Sequence, residues 1–416
     1  HLKRAINRVV VIGTGVMGSQ IAAHLANVGI QTWMIDIVPS HLTTEEQKKG
    51  LTLQSRKVRN RIAETNKRKL KTMKPSPITS DKSLKLLFTG NLEDDLNVLS
   101  KADWIIEAVV ENLDIKKDVW KKIDAYRKAG TLTSTNTSGI SVEKIIAECS
   151  KDLRKHFVGT HFFNPPRYLK LLEIIPAKDT DPNVVQFIKS FAENKLGKGV
   201  VEAKNTPNFI ANRIGTYGLL ITVKEMITHG YRIGEVDSIT GRLIGRPKSA
   251  TFRTLDIVGL DTFIYVANNV RNYADGDEKE VFTVPAFIRK MQRKGWIGSK
   301  NGQGFYKKVK KNGENRIYEL NIHTFEYEER TKLSTPAMKK AFNEKTIEGK
   351  LKALVYASED RAGDFLWNTL KRVLLYSARL VGEICDNIQS IDQAMKWGFG
   401  WELGPFEIWD AIGVRH

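Results

Sequence analysis

The chain is poor in cysteine and has no long hydrophobic run. Cys149 and Cys385 are the only cysteines in 416 residues, too few for a disulfide framework or a zinc site. We therefore predict a reducing, cytoplasmic location and no metal. No apolar stretch approaches the roughly 20 residues of a membrane span, and the apolar run near the N-terminus is too short for a signal peptide. The length suits two or three domains.

Acidic residues are scarce relative to basic ones, with 47 Asp and Glu against 66 Lys and Arg and a formal net charge of +19. Between residues 48 and 74, eleven basic residues accompany a single acid, Glu64. Interspersed Leu, Val and Ile predict a helical pair with one basic face, within an insertion at about 40–75. Such a patch suits a compact polyphosphate as well as a nucleic-acid backbone, and a merely solvated helix face is the alternative.

A dinucleotide-binding fingerprint opens the chain. The apolar strand RVVVIG runs into GTGVMG, then a helix, then the strand QTWMID. Gly13 allows a tight turn, Gly15 lets a pyrophosphate approach the backbone, and Gly18 permits close helix–strand packing. Asp36 would accept hydrogen bonds from a ribose and repel a 2′-phosphate, which favours NAD over NADP. The predicted cofactor loop comprises Gly13, Gly15, Val16, Met17 and Gly18.

Alternation of strands and helices continues to about residue 206, which predicts an open, mostly parallel Rossmann-like sheet. Glu111, Ser138 and Asn164 fall at or just past predicted strand ends, and His161 lies near one. Ligands bind beyond the carboxyl ends of such strands, so these side chains can converge. Each Ser or Asn taken singly could instead be a turn residue that satisfies backbone groups.

The segment GTHFFNPPRYLKLLEIIP, residues 159–176, places a histidine and a carboxylate on two apolar runs joined by a Pro-Pro turn. A histidine held by a carboxylate can act as a general base near neutral pH. We therefore single out His161 and Glu173 as a candidate pair. A core histidine and an unrelated surface glutamate are the alternative.

Beyond residue 206 the pattern becomes helical, with helices expected at 209–228, 235–244 and 253–273. Residues 236–260 and 391–414 align as an internal repeat with one deletion. We predict domains at 1–206, 207–303 and 361–416, the last a partial second helical repeat, with a connector and a hairpin at 304–360. Since half a helical unit buries its apolar face poorly, we expect the natural chain to continue beyond His416. The matched positions are Asp237 and Asp392, Gly245 and Gly400, Phe252 and Phe406, Asp256 and Asp410, and Gly259 and Gly413.

Six strings in order resemble one known family. They are VIGTGVMGSQIA, EAVVENLDIKK, STNTSGIS, GTHFFNPPRYLKLLEII, NTPNFIANR and GSKNGQGFY. Over residues 5–303, and again over the partial repeat, the chain resembles the L-3-hydroxyacyl-CoA dehydrogenases of fatty-acid β-oxidation. The dehydrogenase part of bacterial enzymes fused to an enoyl-CoA hydratase is the closest resemblance. It implies NAD-dependent conversion of a 3-hydroxyacyl-CoA to a 3-ketoacyl-CoA, with a hydratase module in the same native chain.

The resemblance also implies roles for individual residues. His161 resembles the family's catalytic base and Glu173 its partner, while Ser138 and Asn212 resemble residues that bind the substrate oxygen. The basic insertion matches a helical segment that grips coenzyme A, where Arg68 and Lys69 would face the phosphates. Fused relatives carry a second helical copy packed on the first, which implies a pseudo-dimer within the chain. Positions near the nicotinamide and its ribose are matched by Glu111, Lys116, Asn164 and Lys300.

Three classes of function compete at this point. The first is an NAD-dependent 3-hydroxyacyl-CoA dehydrogenase, and the second is a catalytically inactive, structural NAD-binding relative. Intact Ser138, His161, Glu173 and Asn212 count against the second. The third is a nucleic-acid-binding protein, suggested by charge alone and without a recognition motif. We predict an acyl-CoA substrate and no nucleic-acid partner.

Overall fold

The molecule divides into two compact units, which meet in the sequence between Thr206 and Pro207. The computed structural model describes residues 4–414. The first three residues of the predicted N-terminal domain and the last two of the predicted C-terminal repeat lie outside the described residues. Across residues 4–414, no helix combines the length and the apolar character that a membrane crossing requires.

An eight-stranded sheet forms the centre of the first unit. Its strand order is β3-β2-β1-β4-β5-β6-β7-β8, and every neighbouring pair is parallel except β6 and β7. This arrangement confirms the predicted Rossmann-like, mostly parallel sheet. The strands are β1 (Arg8–Ile12), β2 (Gln31–Asp36), β3 (Leu87–Asn91), β4 (Trp104–Glu107), β5 (Leu132–Thr135), β6 (Phe157–Phe162), β7 (Leu171–Pro176) and β8 (Gly199–Glu202).

Helices cover this sheet and bury strand β1 on both of its faces. Val9 and Val11 join a core cluster with residues of the first and ninth helices, while Val10 and Ile12 on the opposite face are also buried. A strand buried on both faces needs the continuous apolar run that RVVVI provides. The helices are α1 (Val16–Asn27), α2 (Thr44–Lys48), α3 (Arg56–Arg59), α4 (Arg61–Lys69), α5 (Asp81–Leu84), α6 (Leu113–Tyr126), α7 (Val142–Ile145), α8 (Lys151–Lys155) and α9 (Pro182–Asn194), with a 3₁₀ helix at Leu96–Lys101.

Helices α3 and α4 correspond to the helical pair predicted for residues 48–74, and α2 is a third short helix at the start of the insertion. Helix α2 ends just before Gly50, whose φ of 65° leaves the helical region. Helices α3 and α4 are separated by Asn60, which has φ −96° and ψ 5°. Asn60 is buried and accepts a hydrogen bond from Asn91 at 2.7 Å, so a tertiary contact fixes this second break.

The second unit is mostly helical, as predicted, with a small antiparallel sheet inside the segment expected to be a connector. In that sheet β10 pairs with both β9 and β11. The strands are β9 (Tyr306–Lys311), β10 (Glu314–Leu320) and β11 (Tyr327–Glu329). The helices are α10 (Ala211–His229), α11 (Ile233–Ile239), α12 (Phe252–Val258), α13 (Leu260–Tyr273), α14 (Gly276–Val281), α15 (Ala286–Arg293), α16 (Pro336–Asn343), α17 (Ile347–Val355), α18 (Arg361–Leu380), α19 (Ile388–Phe399) and α20 (Pro405–Ile412), with 3₁₀ helices at Arg242–Ile244 and Ser299–Asn301.

Two predicted helices of this unit are interrupted by glycine. The helix expected at 253–273 is split into α12 and α13 because Gly259 has φ 93° and ψ 136°, which no α-helix accommodates. The helix expected at 235–244 ends at Ile239, and a 3₁₀ turn follows Gly241, whose ψ is −137°. Glycine inside a helical pattern permits either continuation or a break, and here the chain breaks.

The aligned segments of the second unit share local geometry. Gly245 and Gly400 have φ/ψ of 72°/33° and 69°/26°. Asp237 accepts a hydrogen bond from the Phe252 amide at 2.8 Å, and Asp392 accepts one from the Phe406 amide at 2.8 Å. Gly259 and Gly413 also match, at 93°/136° and 96°/129°.

Candidate active site

His161 and Glu173 meet because strands β6 and β7 are antiparallel. The two residues are directly opposite in the register, and directly opposite side chains of an antiparallel pair project on the same face. The Nδ1 atom of His161 lies 2.8 Å from Oε1 of Glu173. Their relative exposures are 5% and 0%. A fully buried carboxylate in this contact does not fit the alternative of an unrelated surface glutamate.

The turn between β6 and β7 is fixed by side chains from other elements. The Lys198 ammonium donates hydrogen bonds to the carbonyl oxygens of Pro166 and Leu169, the second at 2.8 Å. Burial lowers the pKa of Lys198 to about 8. Gln20 on α1 donates to Oδ1 of Asn164 at 3.2 Å. The turn that follows His161 is thus attached to the glycine-rich end of the sheet.

Glu111 and Ser138 come together beyond strands β4 and β5. Oε2 of Glu111 accepts a hydrogen bond from Thr137 at 3.0 Å and a longer one, 3.4 Å, from the Ser138 hydroxyl. Oε1 of Glu111 lies 3.1 Å from the ammonium of Lys116 on α6. Three of the residues singled out from the sequence therefore form one polar group at the carboxyl edge of the sheet.

A residue that was not singled out from the sequence, Glu107, anchors this group. It is completely buried at the end of β4 and lies 2.7 Å from the Lys116 ammonium. It also accepts hydrogen bonds from Trp120 at 3.1 Å and Thr135 at 2.9 Å. Burial alone would lower the pKa of Lys116, but Glu107 and Glu111 raise it above its ordinary value. The acid within the apolar run WIIEAVV was the available signal, since a buried carboxylate requires partners.

The glycine-rich loop has the crowding that the fingerprint requires. A Cβ atom on Gly13, where φ is 93°, would lie 2.5 Å from the carbonyl oxygen of Ala108. One on Gly18 would lie 1.7 Å from the carbonyl oxygen of Gly13. One on Gly15 would meet no protein atom within 4 Å. The first and third glycines are therefore needed for packing, whereas Gly15 leaves room for a ligand at the start of α1. A pyrophosphate fits this position, because unpaired N–H groups of the first helical turn attract anions.

Asp36 closes the loop and is tied to the basic insertion through two residues that sequence reasoning missed. Its Oδ2 accepts hydrogen bonds from the Thr14 amide at 2.7 Å and the Thr14 hydroxyl at 2.5 Å. Asn66 on α4 donates to the same hydroxyl at 3.0 Å. Thr14 occupies a variable position of the fingerprint, so its type carried no signal. Asp36 is held in place by the loop that it borders.

We expect Gly15→Ala to impair NAD binding and Gly18→Ala to lower stability. Gly15→Ala should keep its stability within about 0.5 kcal/mol and lose NAD affinity by roughly tenfold or more, because the new methyl group occupies the ligand's space. Gly18→Ala should lose about 1–3 kcal/mol of unfolding free energy through overpacking. Thermal unfolding and NAD titration by calorimetry separate the two. Equal destabilisation of both variants would contradict this division of roles.

The basic insertion divides into paired and exposed cations. Arg59 contacts Glu93 and Asp94, and Arg61 contacts Glu46. Arg68 and Lys69 are exposed on the last turn of α4. A cavity of about 560 Å³, lined among others by Arg68, lies within the insertion. Only part of the positive charge counted in the sequence is thus available to an anionic ligand.

The remaining predicted site residues lie in the second unit. Asn212 is the second residue of α10 and is half-buried, and Lys300 is exposed on the 3₁₀ helix Ser299–Asn301. Within residues 4–414, no three His, Cys, Asp or Glu side chains cluster as metal ligands do.

Comparison with known proteins gives a consistent picture. Residues 8–206 match the family model described as "3-hydroxyacyl-CoA dehydrogenase, NAD binding domain", and residues 209–308 match its C-terminal domain. A "Probable 3-hydroxyacyl-CoA dehydrogenase" of Bacillus subtilis is 61% identical over 414 residues, which is 100% of this chain and 52% of the relative. A "Putative fatty acid oxidation complex trifunctional enzyme" of Rickettsia felis is 30% identical over 98% of this chain and 53% of its own length.

The chain therefore spans about half the length of these curated relatives. Among solved structures, the 3-hydroxybutyryl-CoA dehydrogenase of Escherichia coli K12 superimposes with a TM-score of 0.69. That match covers 99% of this chain and 92% of the other, at 22% identity. At this identity the likeness concerns the fold alone, and it extends over both units.

Proposed function

The chain belongs to the 3-hydroxyacyl-CoA dehydrogenase family, and from that premise we propose that it oxidises L-3-hydroxyacyl-CoA to 3-ketoacyl-CoA with NAD⁺ as the acceptor. The observation that carries the proposal is the buried contact between Nδ1 of His161 and Glu173 at 2.8 Å. It lies on the same sheet as a glycine-rich loop with space at Gly15. A base and a dinucleotide site together are what this reaction requires.

His161 would take the proton of the 3-hydroxyl group. Since Nδ1 faces Glu173, Nε2 is the ring nitrogen that would accept this proton. The Glu173 carboxylate would then stabilise the imidazolium and hold the ring in one orientation. NAD⁺, when bound, supplies the acceptor for the hydride that leaves carbon 3 of the substrate.

Substrate orientation would come from Ser138 and Asn212, which resemble family residues that bind the substrate oxygen. Ser138 is held by Glu111, and Glu111 is held by Lys116. Asn164, Glu111 and Lys116 would line the nicotinamide side together with Lys300. The buried contact of Lys116 with Glu107 would keep this group rigid, and rigid polar groups need little reorganisation during the reaction.

We assign the basic insertion to the phosphates of coenzyme A, through Arg68 and Lys69. We expect the double variant Arg68→Met/Lys69→Met to raise the KM for acetoacetyl-CoA by about fivefold, since exposed ion pairs contribute up to about 1 kcal/mol. Its kcat should not change, because neither side chain touches the reacting atoms. The difference in KM between the double variant and the unsubstituted protein should be smaller at high salt. Steady-state kinetics at two salt concentrations measure both effects.

The matched control is Lys308→Met/Lys310→Met, which removes two exposed lysines from β9. An equal rise in KM for this control would attribute the effect to net charge and contradict the assignment to the insertion.

We also propose that the domains follow the predicted boundaries, and that residues 361–416 are a partial repeat packed as a pseudo-dimer on the first helical domain. The matched dihedral angles of Gly245 with Gly400 and of Gly259 with Gly413 support the repeat. Helix α10 packs against α18, its counterpart in the second copy.

The Rickettsia felis relative is named a trifunctional enzyme, which supports further activities in the native protein, and a hydratase module is the one we propose. The two cysteines form no disulfide among the described residues, in keeping with a reducing, cytoplasmic location.

The proposed activity is tested by oxidation of NADH with a ladder of 3-ketoacyl-CoA chain lengths. We expect turnover with at least acetoacetyl-CoA and a clear preference for NADH over NADPH, because Asp36 repels a 2′-phosphate. Absence of turnover at every length, with NADH still bound, would favour the structural relative instead.

A further inference from the structure

A cavity of about 150 Å³ in the second unit is bordered by Arg246 and Trp401. Arg246 follows the 3₁₀ helix Arg242–Ile244, and its guanidinium lies 3.1 Å from the ring centroid of Trp401, between α19 and α20. The two residues follow the matched glycines Gly245 and Gly400, so equivalent positions of the two copies stack on each other. Cation–π stacking fixes the plane of the guanidinium.

Arg246 is half-buried, and its guanidinium forms no ion pair among the described residues. Its Nε atom is buried without a hydrogen-bond partner among the described residues. Burial lowers the pKa of Arg246 to about 9 with no opposing charge, so the side chain is still a cation at neutral pH. Arg213 in the same unit, by contrast, contacts Glu278 at 2.8 Å and Glu383 at 3.0 Å. Desolvating an unpaired cation is costly, and a bound anion would offset that cost.

The hydroxyl groups that line the cavity are all hydrogen-bonded within the protein. Thr222 donates to the carbonyl oxygen of Gly218 at 2.8 Å, and Thr254 donates to that of Ala250 at 2.6 Å. Leu366, Leu370 and Val373 of α18 supply an apolar side. A phosphate or sulfate needs donors on several sides, whereas a carboxylate matches a single planar guanidinium. The cavity therefore suits a small carboxylate that carries a short aliphatic chain.

We propose that this cavity binds the carboxylate end of a short aliphatic chain. The carboxylate pairs with the guanidinium of Arg246 above Trp401, and the hydrocarbon lies against the leucines of α18. A cavity of about 150 Å³ holds a molecule the size of benzene, which corresponds to roughly four to six carbons. The carboxylate belongs either to a free short-chain acid or to the far end of a substrate's acyl chain. Binding of the free acid requires no turnover, so it can fail or succeed independently of the proposed dehydrogenase activity.

Calorimetric titration of the whole chain with hexanoate tests the proposal directly. We expect saturable binding that weakens by at least about tenfold in Arg246→Met, as expected for loss of a charge-assisted pair, and that is unchanged in Arg242→Met. Arg242 is exposed and lies four residues earlier, which makes it a matched control. Hexanamide, which has the same size and no charge, should bind at least about tenfold more weakly. Equal binding of hexanoate to Arg246→Met and the unsubstituted protein, or equal binding of hexanamide, overturns the proposal.

A second variant covers failure of Arg246→Met to fold. Leu370→Trp fills the cavity and keeps the Arg246 cation, so hexanoate binding should be lost. The melting temperature of this variant shows whether it is folded. Retained binding in Leu370→Trp overturns the site. Without hexanoate, Arg246→Met should melt no lower than the unsubstituted protein, because it removes a desolvated charge that has no ion-pair partner among the described residues. Hexanoate should raise the melting temperature of the unsubstituted protein and of Arg242→Met, but not that of Arg246→Met or Leu370→Trp.

Kinetics with two acyl-CoA substrates of equal length identify the source of the carboxylate. If the carboxylate is part of the substrate, Arg246→Met lowers kcat/KM for a 3-ketoacyl-CoA with a terminal carboxylate and spares the methyl-terminated one. If the site takes a free acid, both kcat/KM values stay unchanged while hexanoate binding is lost. An equal loss with both substrates contradicts recognition of a carboxylate.

Discussion

Replacing His161 with glutamine should reduce kcat/KM for acetoacetyl-CoA reduction by roughly 10³-fold, within the 10²–10⁴ that general acid–base catalysis contributes. Glutamine can hydrogen-bond to a substrate oxygen but cannot exchange a proton near neutral pH. Because His161 lies on β6 and the cofactor loop precedes α1, NAD affinity should be unchanged. Steady-state kinetics and cofactor titration on the same preparation separate the two effects.

His229 provides a matched control for this substitution. Its Nδ1 lies 2.8 Å from Oε1 of Glu225, the same contact as in the buried pair, but its side chain is about half exposed on α10. His229→Gln should therefore leave kcat/KM unchanged. A wild-type rate in His161→Gln would refute the assignment of the base. A comparable loss in His229→Gln would show that the assay reports general damage.

The second large effect is expected for Glu173→Gln, with a loss in kcat of about 10²–10³-fold. The amide preserves the size of the side chain and still contacts the His161 ring. It removes the negative charge that would stabilise the imidazolium formed as the proton is transferred. The loss should appear in kcat rather than in KM, because the charge matters mainly in the transition state.

The control for this variant is Glu225→Gln, which neutralises the partner of His229. Circular dichroism and NAD affinity of both variants should match those of the unsubstituted protein. An unchanged kcat in Glu173→Gln would show that the Glu173 charge does not contribute to the reaction and that the side chain serves only in packing. A fall in NAD affinity would indicate that the carboxylate supports the fold of the cofactor site instead.

The parts of the site predictable from sequence are those determined by local backbone geometry. Gly13 has φ 93°, which favours glycine, and a Cβ on Gly18 would meet the Gly13 carbonyl oxygen within the same βαβ unit, so a short string carries the information. Asp36 follows from the same unit. The eight-stranded sheet could be predicted because strand and helix periodicities alternate over some 200 residues.

The remaining features depend on contacts that a linear pattern does not encode. Two apolar runs around a Pro-Pro turn suggested that His161 and Glu173 are close, but only the antiparallel register places them directly opposite. Glu107 was missed because its partners lie on a helix and a neighbouring strand. Arg246 and Trp401 are brought together by packing of two segments 155 positions apart. Gly259 illustrates the local ambiguity, since glycine within a helical pattern does not reveal whether the helix continues.

The fate of the hydrogen on carbon 3 tests the central claim most directly. The intact chain is incubated with NAD⁺ and (S)-3-hydroxybutyryl-CoA deuterated at carbon 3, and the reduced cofactor and the acyl product are analysed by mass spectrometry. The account predicts monodeuterated NADH and acetoacetyl-CoA in equal amounts, and loss of both products in His161→Gln. NADH without deuterium, or no reduced cofactor although NAD⁺ and the acyl-CoA both bind, would contradict it.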